Sequence, residues 1–134
     1  MSASNCLKFI KDKDVDFVDL RFTDPRGKLQ HLTMDGKMVD EEMLNDGVFF
    51  DGSSIAGWKA INESDMILKP DLDRQIIDPF TSHNTLVLFC DVLDAVKKNP
   101  YERDPRSTAK KAENYLKKTG IGDKAYFGPE AEFF

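Results

Sequence analysis

The sequence has few of the residues on which disulfide-rich and nucleic-acid-binding proteins depend. Only two cysteines and two histidines occur among its 134 residues. Cys6 and Cys90 lie far apart without a metal-type spacing, so we expect two reduced thiols that pack as small apolar side chains. Lys and Arg number 19 against 24 Asp and Glu, which leaves a net charge of -5 and no basic block. A disulfide scaffold is therefore excluded, and we expect no nucleic-acid partner.

Long hydrophobic runs are also missing. No stretch approaches membrane-spanning length, and residues 1–14 carry charges where a secretion signal needs an apolar run. We therefore expect no membrane partner and a cytoplasmic location. Hydrophobic residues still make up 40% of the chain, which is enough for one core.

The first half of the chain alternates helix and strand patterns. Ser4 is placed to cap a short helix that ends near residue 13, with Ile10 on its inner side. Residues 39–45 predict a second helix, and Gly47 is suited to end it.

A β-hairpin is expected between these two helices. Residues 18–22 alternate apolar and polar side chains, the pattern of a strand with one solvent-exposed face. The string Asp-Pro-Arg-Gly at 24–27 is typical of a type I turn, and residues 28–34 form the return strand. His31 on that strand is interpreted as a solvated or hydrogen-bonded residue rather than a ligand.

Four further apolar runs predict strands. Residues 48–50 form a brief one, and 66–68 and 76–77 are interpreted as two short edge strands. Residues 86–90 are the most continuously apolar run and predict the central strand of a sheet covered on both faces. Together with the helices, these runs indicate an α+β domain up to about residue 95.

A polar, proline-containing linker is predicted at 94–105, and a third helix follows it. Asp104 is a suitable N-cap, Pro105 suits the first helical position, and Gly120 suits the C-terminal cap. The inner stripe of this helix is predicted to comprise Ala109, Ala112, Tyr115 and Leu116. Residues 124–134 have the pattern of a strand that stops without a partner, which indicates a fragment that ends inside an element.

The loop after residues 48–50 combines a carboxylate, two hydroxyls and two glycines. Its sequence over residues 50–58 is Phe-Asp-Gly-Ser-Ser-Ile-Ala-Gly-Trp, and the large apolar residues argue against a disordered linker. Asp51 can bind a cation, accept a proton or simply cap a turn. The residues alone leave these alternatives open.

A second candidate site lies at the end of the chain. Glu130 and Glu132 are two positions apart on the predicted strand, so both carboxylates project from one face. Most neighbours are apolar or small, so solvent or a cation must offset the repulsion between the two charges. Carboxylate oxygens suit Mg²⁺ or Mn²⁺, which also bridge nucleotide phosphates.

Several of these strings resemble one family. The loop sequence at 50–58, with Asn-Glu-Ser-Asp-Met at 62–66, resembles the N-terminal domain of bacterial type I glutamine synthetase. The string Phe-Gly-Pro-Glu-Ala-Glu-Phe-Phe at 127–134 is similar to the motif that opens that family's catalytic domain. Three shorter strings agree with the family, at 22–28, 77–80 and 103–106. The resemblance covers almost the whole chain from Val15 onward.

This resemblance implies a specific fold and domain division. Residues 1–98 would form a β-grasp-like N-terminal domain. Residues 99–134 would form the beginning of a truncated catalytic domain, comprising the end of a linker, a helix and a first strand.

The resemblance also implies an activity, a ligase that joins ammonium to glutamate with ATP as co-substrate through γ-glutamyl phosphate. Asp51 and Ser54 would be catalytic residues at the ammonium site. Glu130 and Glu132 would be ligands of Mg²⁺ or Mn²⁺, with two ions per site in the full enzyme.

In the family, this loop completes the active site of a neighbouring identical subunit. The resemblance therefore implies a homo-oligomeric ring, a dodecamer, whose sites lie between subunits. Trp58 is expected either to help form that interface or to pack against its own domain. Asp65 matches the family string, which gives it no defined role.

Phosphate-binding glycine loops and arginine clusters are absent from the sequence, so we expect the chain by itself to be inactive. Two alternatives stay open. One is a stand-alone β-grasp interaction module, although such a module would not need Glu130 and Glu132. The other is a related ligase that joins glutamate to a different amine.

Overall fold

A computed structural model describes residues 2–58 and 64–132. Eight main elements follow one another along the chain. They are α1 (Ala3–Asp12), β1 (Phe17–Thr23), β2 (Leu29–Asp35), α2 (Glu41–Asp46), β3 (Val48–Asp51), β4 (Asp65–Ile77), β5 (Thr85–Asp94) and α3 (Pro105–Thr119). No helix in the described part of the chain is long and apolar enough to cross a membrane.

The strands of the described residues form one mixed sheet in the order β2-β1-β5-β4-β3. β1 pairs with β2 as the predicted antiparallel hairpin and runs parallel to β5. β4 lies antiparallel to both β5 and β3. The prediction that residues 86–90 form the central strand is confirmed, since β5 occupies the middle of the sheet.

One face of this sheet carries the core. Alternate residues of β1 and β5, including Val18, Leu20, Leu86 and Leu88, are buried, and α1 and α2 contribute to the same hydrophobic cluster. The period of two along each strand directs these side chains to one side. The α+β prediction is confirmed, and Cys6 and Cys90 are free, buried thiols as expected.

Helix boundaries agree with the sequence at three of the four ends for which a capping residue was predicted. Asp104 caps α3, with Pro105 in the first turn, and Gly120 and Gly47 end α3 and α2. The N-cap of α1 was predicted wrongly, because the side chain of Ser2 accepts a hydrogen bond from the amide of Asn5.

Residues 66–68 and 76–77 were predicted as two edge strands, and this is wrong. They belong to one strand, β4, which lies between β5 and β3, with a register irregularity between Pro70 and Gln75. The irregularity allows a proline to lie within a paired strand without interrupting it.

The predicted inner stripe of α3 is also wrong. Ala109, Ala112 and Tyr115 are exposed, Tyr115 by 70%. The helix is instead held at its start, where Asp104 is buried and accepts hydrogen bonds from the amide and hydroxyl of Ser107. Arg106 adds ion pairs with Asp91 of β5 and Asp71 of β4.

Asp19 contradicts the prediction of a solvent-exposed face on β1. It is only 4% exposed and accepts hydrogen bonds from Arg21 at 2.7 Å and Thr33 at 2.7 Å, with His31 Nδ1 at 2.8 Å. Burial tends to raise the pKa of Asp19, but the bonds from Thr33, Arg21 and His31 outweigh it and lower the pKa. The polar side chains of the hairpin thus solvate this carboxylate in place of water.

We expect the network around Asp19 to make the stability of the chain acid-sensitive. Because the folded-state pKa is lowered, the stabilisation is present above the unfolded value of about 3.9 and is lost as the pH falls through the folded pKa. Asp19→Asn is expected to reduce the free energy of unfolding by about 2 kcal/mol at pH 6, since charged hydrogen bonds are lost. The same substitution should lower the free energy of unfolding much less at pH 3.

Urea unfolding at the two pH values, followed by the fluorescence of the single tryptophan, tests this prediction. Asp12→Asn, at the exposed end of α1, is the matched control. An Asp19→Asn penalty that is equal at pH 6 and pH 3 would contradict the role of the ionised carboxylate.

Candidate functional site

The candidate loop begins where β3 ends. Asp51 is the last residue of β3, and a 3₁₀ turn over Gly52–Ser54 follows it directly. The amide of Gly52 donates to the carbonyl of Ser64 at 2.7 Å, which closes the base of the connection between β3 and β4. The chain therefore leaves the sheet and returns to it at one point.

Gly52 allows this close approach. An added Cβ would lie 2.3 Å from the sulfur of Met66 and 3.0 Å from the carbonyl oxygen of Ser64. Met66 is fully buried in the core, so it has little room to move away. The glycine in the loop sequence is thus explained by packing.

Aromatic side chains anchor the loop to the domain. Trp58 is 5% exposed, and its ring lies 5.6 Å from that of Phe22, 6.0 Å from that of Phe50 and 5.8 Å from that of Tyr101. Packing against its own chain, one of the two roles expected for Trp58, is thus observed, and the role at a subunit interface stays a prediction. These contacts make residues 51–58 a structured segment rather than a free loop.

Asp51 is held by the residue two positions after it. One carboxylate oxygen, Oδ1, accepts hydrogen bonds from the amide of Ser53 at 2.9 Å and from its hydroxyl at 2.7 Å. These two bonds, with a smaller contribution from the hydroxyl of Ser64, lower the pKa of Asp51. At neutral pH, Asp51 is therefore an oriented anion at the protein surface.

Ser54, predicted as the second catalytic residue, is exposed. Among the described residues, the hydroxyls that contact Asp51 are those of Ser53 and Ser64. The sequence offered two adjacent serines, and only the turn geometry distinguishes them.

A second carboxylate is paired with Asp51 across the sheet, at a residue for which no role was predicted. Asp65, the first residue of β4, is the register partner of Asp51 across the β3–β4 pair. Directly opposite residues project from the same face, and like charges there repel each other. A cation between or near these carboxylates would relieve the repulsion.

Part of the loop motif falls outside the residues that the structure describes. Residues 59–63, which include Asn62 and Glu63 of the predicted string, lie outside the described residues. The aromatic residues at 133 and 134 lie outside them as well.

The second candidate pair occupies an irregular segment. Residues 124–132 form no strand, so the strand prediction is wrong for this part of the chain, where the segment has no neighbouring strand to pair with. Glu130 and Glu132 are exposed. Nowhere in 2–58 and 64–132 do three or more His, Cys, Asp or Glu side chains form a group able to hold a metal ion.

Comparisons with known proteins indicate the family to which the chain belongs. A family model described as "Glutamine synthetase, beta-Grasp domain" matches residues 14–95. Glutamine synthetase of Rhizobium meliloti is 65% identical over 99% of this chain and 28% of its own length. That of Azorhizobium caulinodans is 62% identical over the same shares. The chain therefore spans somewhat more than a quarter of these relatives.

A solved structure of Plasmodium falciparum glutamine synthetase superimposes with a TM-score of 0.80 at 26% identity, covering 90% of this chain and 23% of the other. The mixed sheet with two helices on its core face is a β-grasp domain. The chain belongs to the glutamine synthetase family, and its residues 14–95 match that family's β-grasp domain.

Proposed function

We propose that this chain supplies the ammonium-facing loop and two metal ligands to an ATP-dependent ligase that joins ammonium to glutamate. The observation that carries the proposal is the oriented, ionised carboxylate of Asp51, with Asp65 opposite it. Such a pair attracts a monovalent cation. We assign ammonium as this cation, and membership of the glutamine synthetase family supports that choice.

The chemistry requires an anion at this position. Transfer of the γ-phosphoryl group of ATP to the side-chain carboxylate of glutamate gives γ-glutamyl phosphate and ADP. Ammonium must then lose a proton before its nitrogen can attack the activated carbonyl carbon and release phosphate. Asp51 would bind the ammonium and accept the proton, and Ser53 would keep its carboxylate in position.

Glu130 and Glu132 would hold Mg²⁺ or Mn²⁺ in the same enzyme. Their exposed carboxylates are hard oxygen donors, which fit these ions, although two ligands do not complete a site. Bound divalent ions neutralise phosphate charge during transfer. The remaining ligands, and the contacts to ATP and glutamate, would come from residues that this chain does not contain.

The arrangement of the complete protein is part of this proposal. Residues 99–134 would open a catalytic domain, and the loop at 51–58 would complete the site of a neighbouring identical subunit in a cytoplasmic ring, a dodecamer by family resemblance. The relatives are more than three times as long as the stretch they share with this chain. By itself the chain would not catalyse the reaction.

The metal assignment is tested in the complete enzyme, by which we mean this chain joined to the remaining sequence of the Rhizobium meliloti glutamine synthetase. Glu132→Gln keeps the size of the side chain but removes its charge. We expect the Mg²⁺ or Mn²⁺ concentration for half-maximal glutamine formation to rise by roughly ten- to a hundredfold.

Glu113→Gln on α3 is the control, because Glu113 is an exposed glutamate that pairs with Lys117 away from the candidate site. Its metal requirement should be unchanged. If Glu132→Gln shows the metal requirement of Glu113→Gln, Glu132 is not a ligand.

A further inference from the structure

The segment between β5 and α3, predicted as a linker, is fixed to the sheet. Pro100 forms a β-bridge with Leu93, and the amide of Tyr101 donates to the carbonyl of Val92 at 2.9 Å. At the other end, Asp104 is 1% exposed, and its carboxylate oxygen Oδ2 accepts a hydrogen bond from the amide of Val92 in β5 at 3.5 Å. Residues 100–104 thus form a short, doubly anchored strut.

The strut contacts the far end of the candidate loop. The guanidinium Nη1 of Arg103 donates to the carbonyl oxygen of Gly57 at 2.8 Å and lies 3.4 Å from that of Trp58. The ring of Tyr101 packs edge-on against the ring of Trp58. These contacts join segments that are 46 residues apart in the sequence.

The loop is therefore held at two points. At its start, β3 and the hydrogen bond from Gly52 to Ser64 fix the backbone beside Asp51. At its end, Gly57 has φ +90, and no atom lies within 4 Å of the place where a Cβ would be, so this residue restricts its own backbone little. The hydrogen bond from Arg103 to the carbonyl of Gly57 therefore restrains the backbone at this residue.

We propose that Arg103 is a positioning residue for the ammonium site. It holds the end of the loop at residues 57 and 58 so that the 3₁₀ turn, and with it Asp51, keeps one orientation toward the bound cation. Arg103 does not touch the substrate in this assignment. The inference depends on the proposed function, because it concerns the site at which Asp51 acts.

Loss of the contact from Arg103 is expected to affect one substrate, ammonium, more than the other two. A reaction slows when a group that binds the substrate is displaced from its productive position. A displacement of about 1 Å lowers the rate by roughly ten- to a hundredfold. Loss of the Arg103 contact should weaken ammonium binding, while ATP and glutamate, whose contacts come from outside this chain, should be affected little. A general loss of folding would affect all three substrates.

The test uses steady-state kinetics of the complete enzyme with Arg103→Ala, Arg103→Lys and Asp51→Asn. For Arg103→Ala we expect the KM for ammonium to rise roughly tenfold or more, with the KM values for ATP and glutamate within about twofold of the parent. Arg103→Lys keeps a donor that can reach one carbonyl, so it should recover most of the loss. Arg74→Ala, an exposed arginine on β4, is the matched control.

The outcomes separate this inference from the proposed function. If Asp51→Asn impairs ammonium use and Arg103→Ala does not, the positioning role is wrong and the proposed function stands. If Asp51→Asn leaves ammonium use unchanged, both are wrong. If Arg103→Ala fails to assemble, Arg103→Lys decides: a small KM increase confined to ammonium supports the role, and no increase, or equal increases for all three substrates, overturns it.

Discussion

Asp51→Asn in the complete enzyme is expected to lower kcat/KM for ammonium by roughly a hundredfold or more. Asn has nearly the same shape and can still accept the two hydrogen bonds from Ser53, so the turn should persist. It cannot attract a cation by charge or take its proton. Initial rates of glutamine formation, measured while each substrate is varied in turn, test this prediction, and the KM values for ATP and glutamate should change little.

Asp46→Asn provides the control for this substitution. Asp46 is exposed at the end of α2, so the same change of charge there should leave all three KM values as they are. If Asp51→Asn retains the parent's kcat/KM for ammonium, Asp51 has no role in binding or deprotonating that substrate.

The second large effect concerns the fold, at Gly47. This residue ends α2 with φ 87 and ψ -177, a region essentially restricted to glycine. A Cβ there would lie 2.5 Å from the backbone oxygen of Leu68 and 2.6 Å from a methyl carbon of Ile67. We expect Gly47→Ala to lower the free energy of unfolding by about 3 kcal/mol or more, since backbone strain and overpacking add.

Urea unfolding of the 134-residue chain, followed by the fluorescence of Trp58, measures this loss. Gly120→Ala is the matched control, because Gly120 also has a positive φ of 73 but open space where a Cβ would be placed. It should cost only about 1 kcal/mol. Equal losses for the two variants would show that the contact with Leu68 and Ile67 contributes nothing.

Local signals allowed much of the fold to be predicted. The turn at 24–27 and the alternation on both sides of it determine the β1–β2 hairpin. Asp104 and Gly120 bound α3 because capping depends on a few adjacent residues. The continuous apolar run at 86–90 is typical of a buried strand, and it lies in β5 at the middle of the sheet.

Predictions failed where distant residues decide the outcome. Asp19 has an ordinary polar position in its strand, and only its cross-strand neighbours explain why it is buried. The stripe on α3 has helical spacing, but periodicity does not show whether a partner surface is present. Residues 66–68 and 76–77 belong to one strand because both stretches pair with β5, which is distant in the sequence.

The candidate site likewise has one feature that could be predicted from the sequence and others that could not. Asp51 was recognisable from the loop string, and its role at an ammonium site stays a prediction. The partnership with Ser53 instead of Ser54, and the position of Asp65 opposite Asp51, follow from turn geometry and strand register. The contact from Arg103 had no signal in the sequence, because its two ends are far apart along the chain.

We propose that Asp51 binds and deprotonates ammonium and takes no part in phosphoryl transfer, and a single-turnover measurement separates these two steps. The complete enzyme and its Asp51→Asn variant are mixed with ATP and glutamate without ammonium, and the acid-labile phosphate formed at each site is measured after rapid quenching. We predict a burst whose rate and amplitude agree within about twofold between the two proteins, since Asp51 takes no part in that step. A burst that is lost together with glutamine formation would contradict the account.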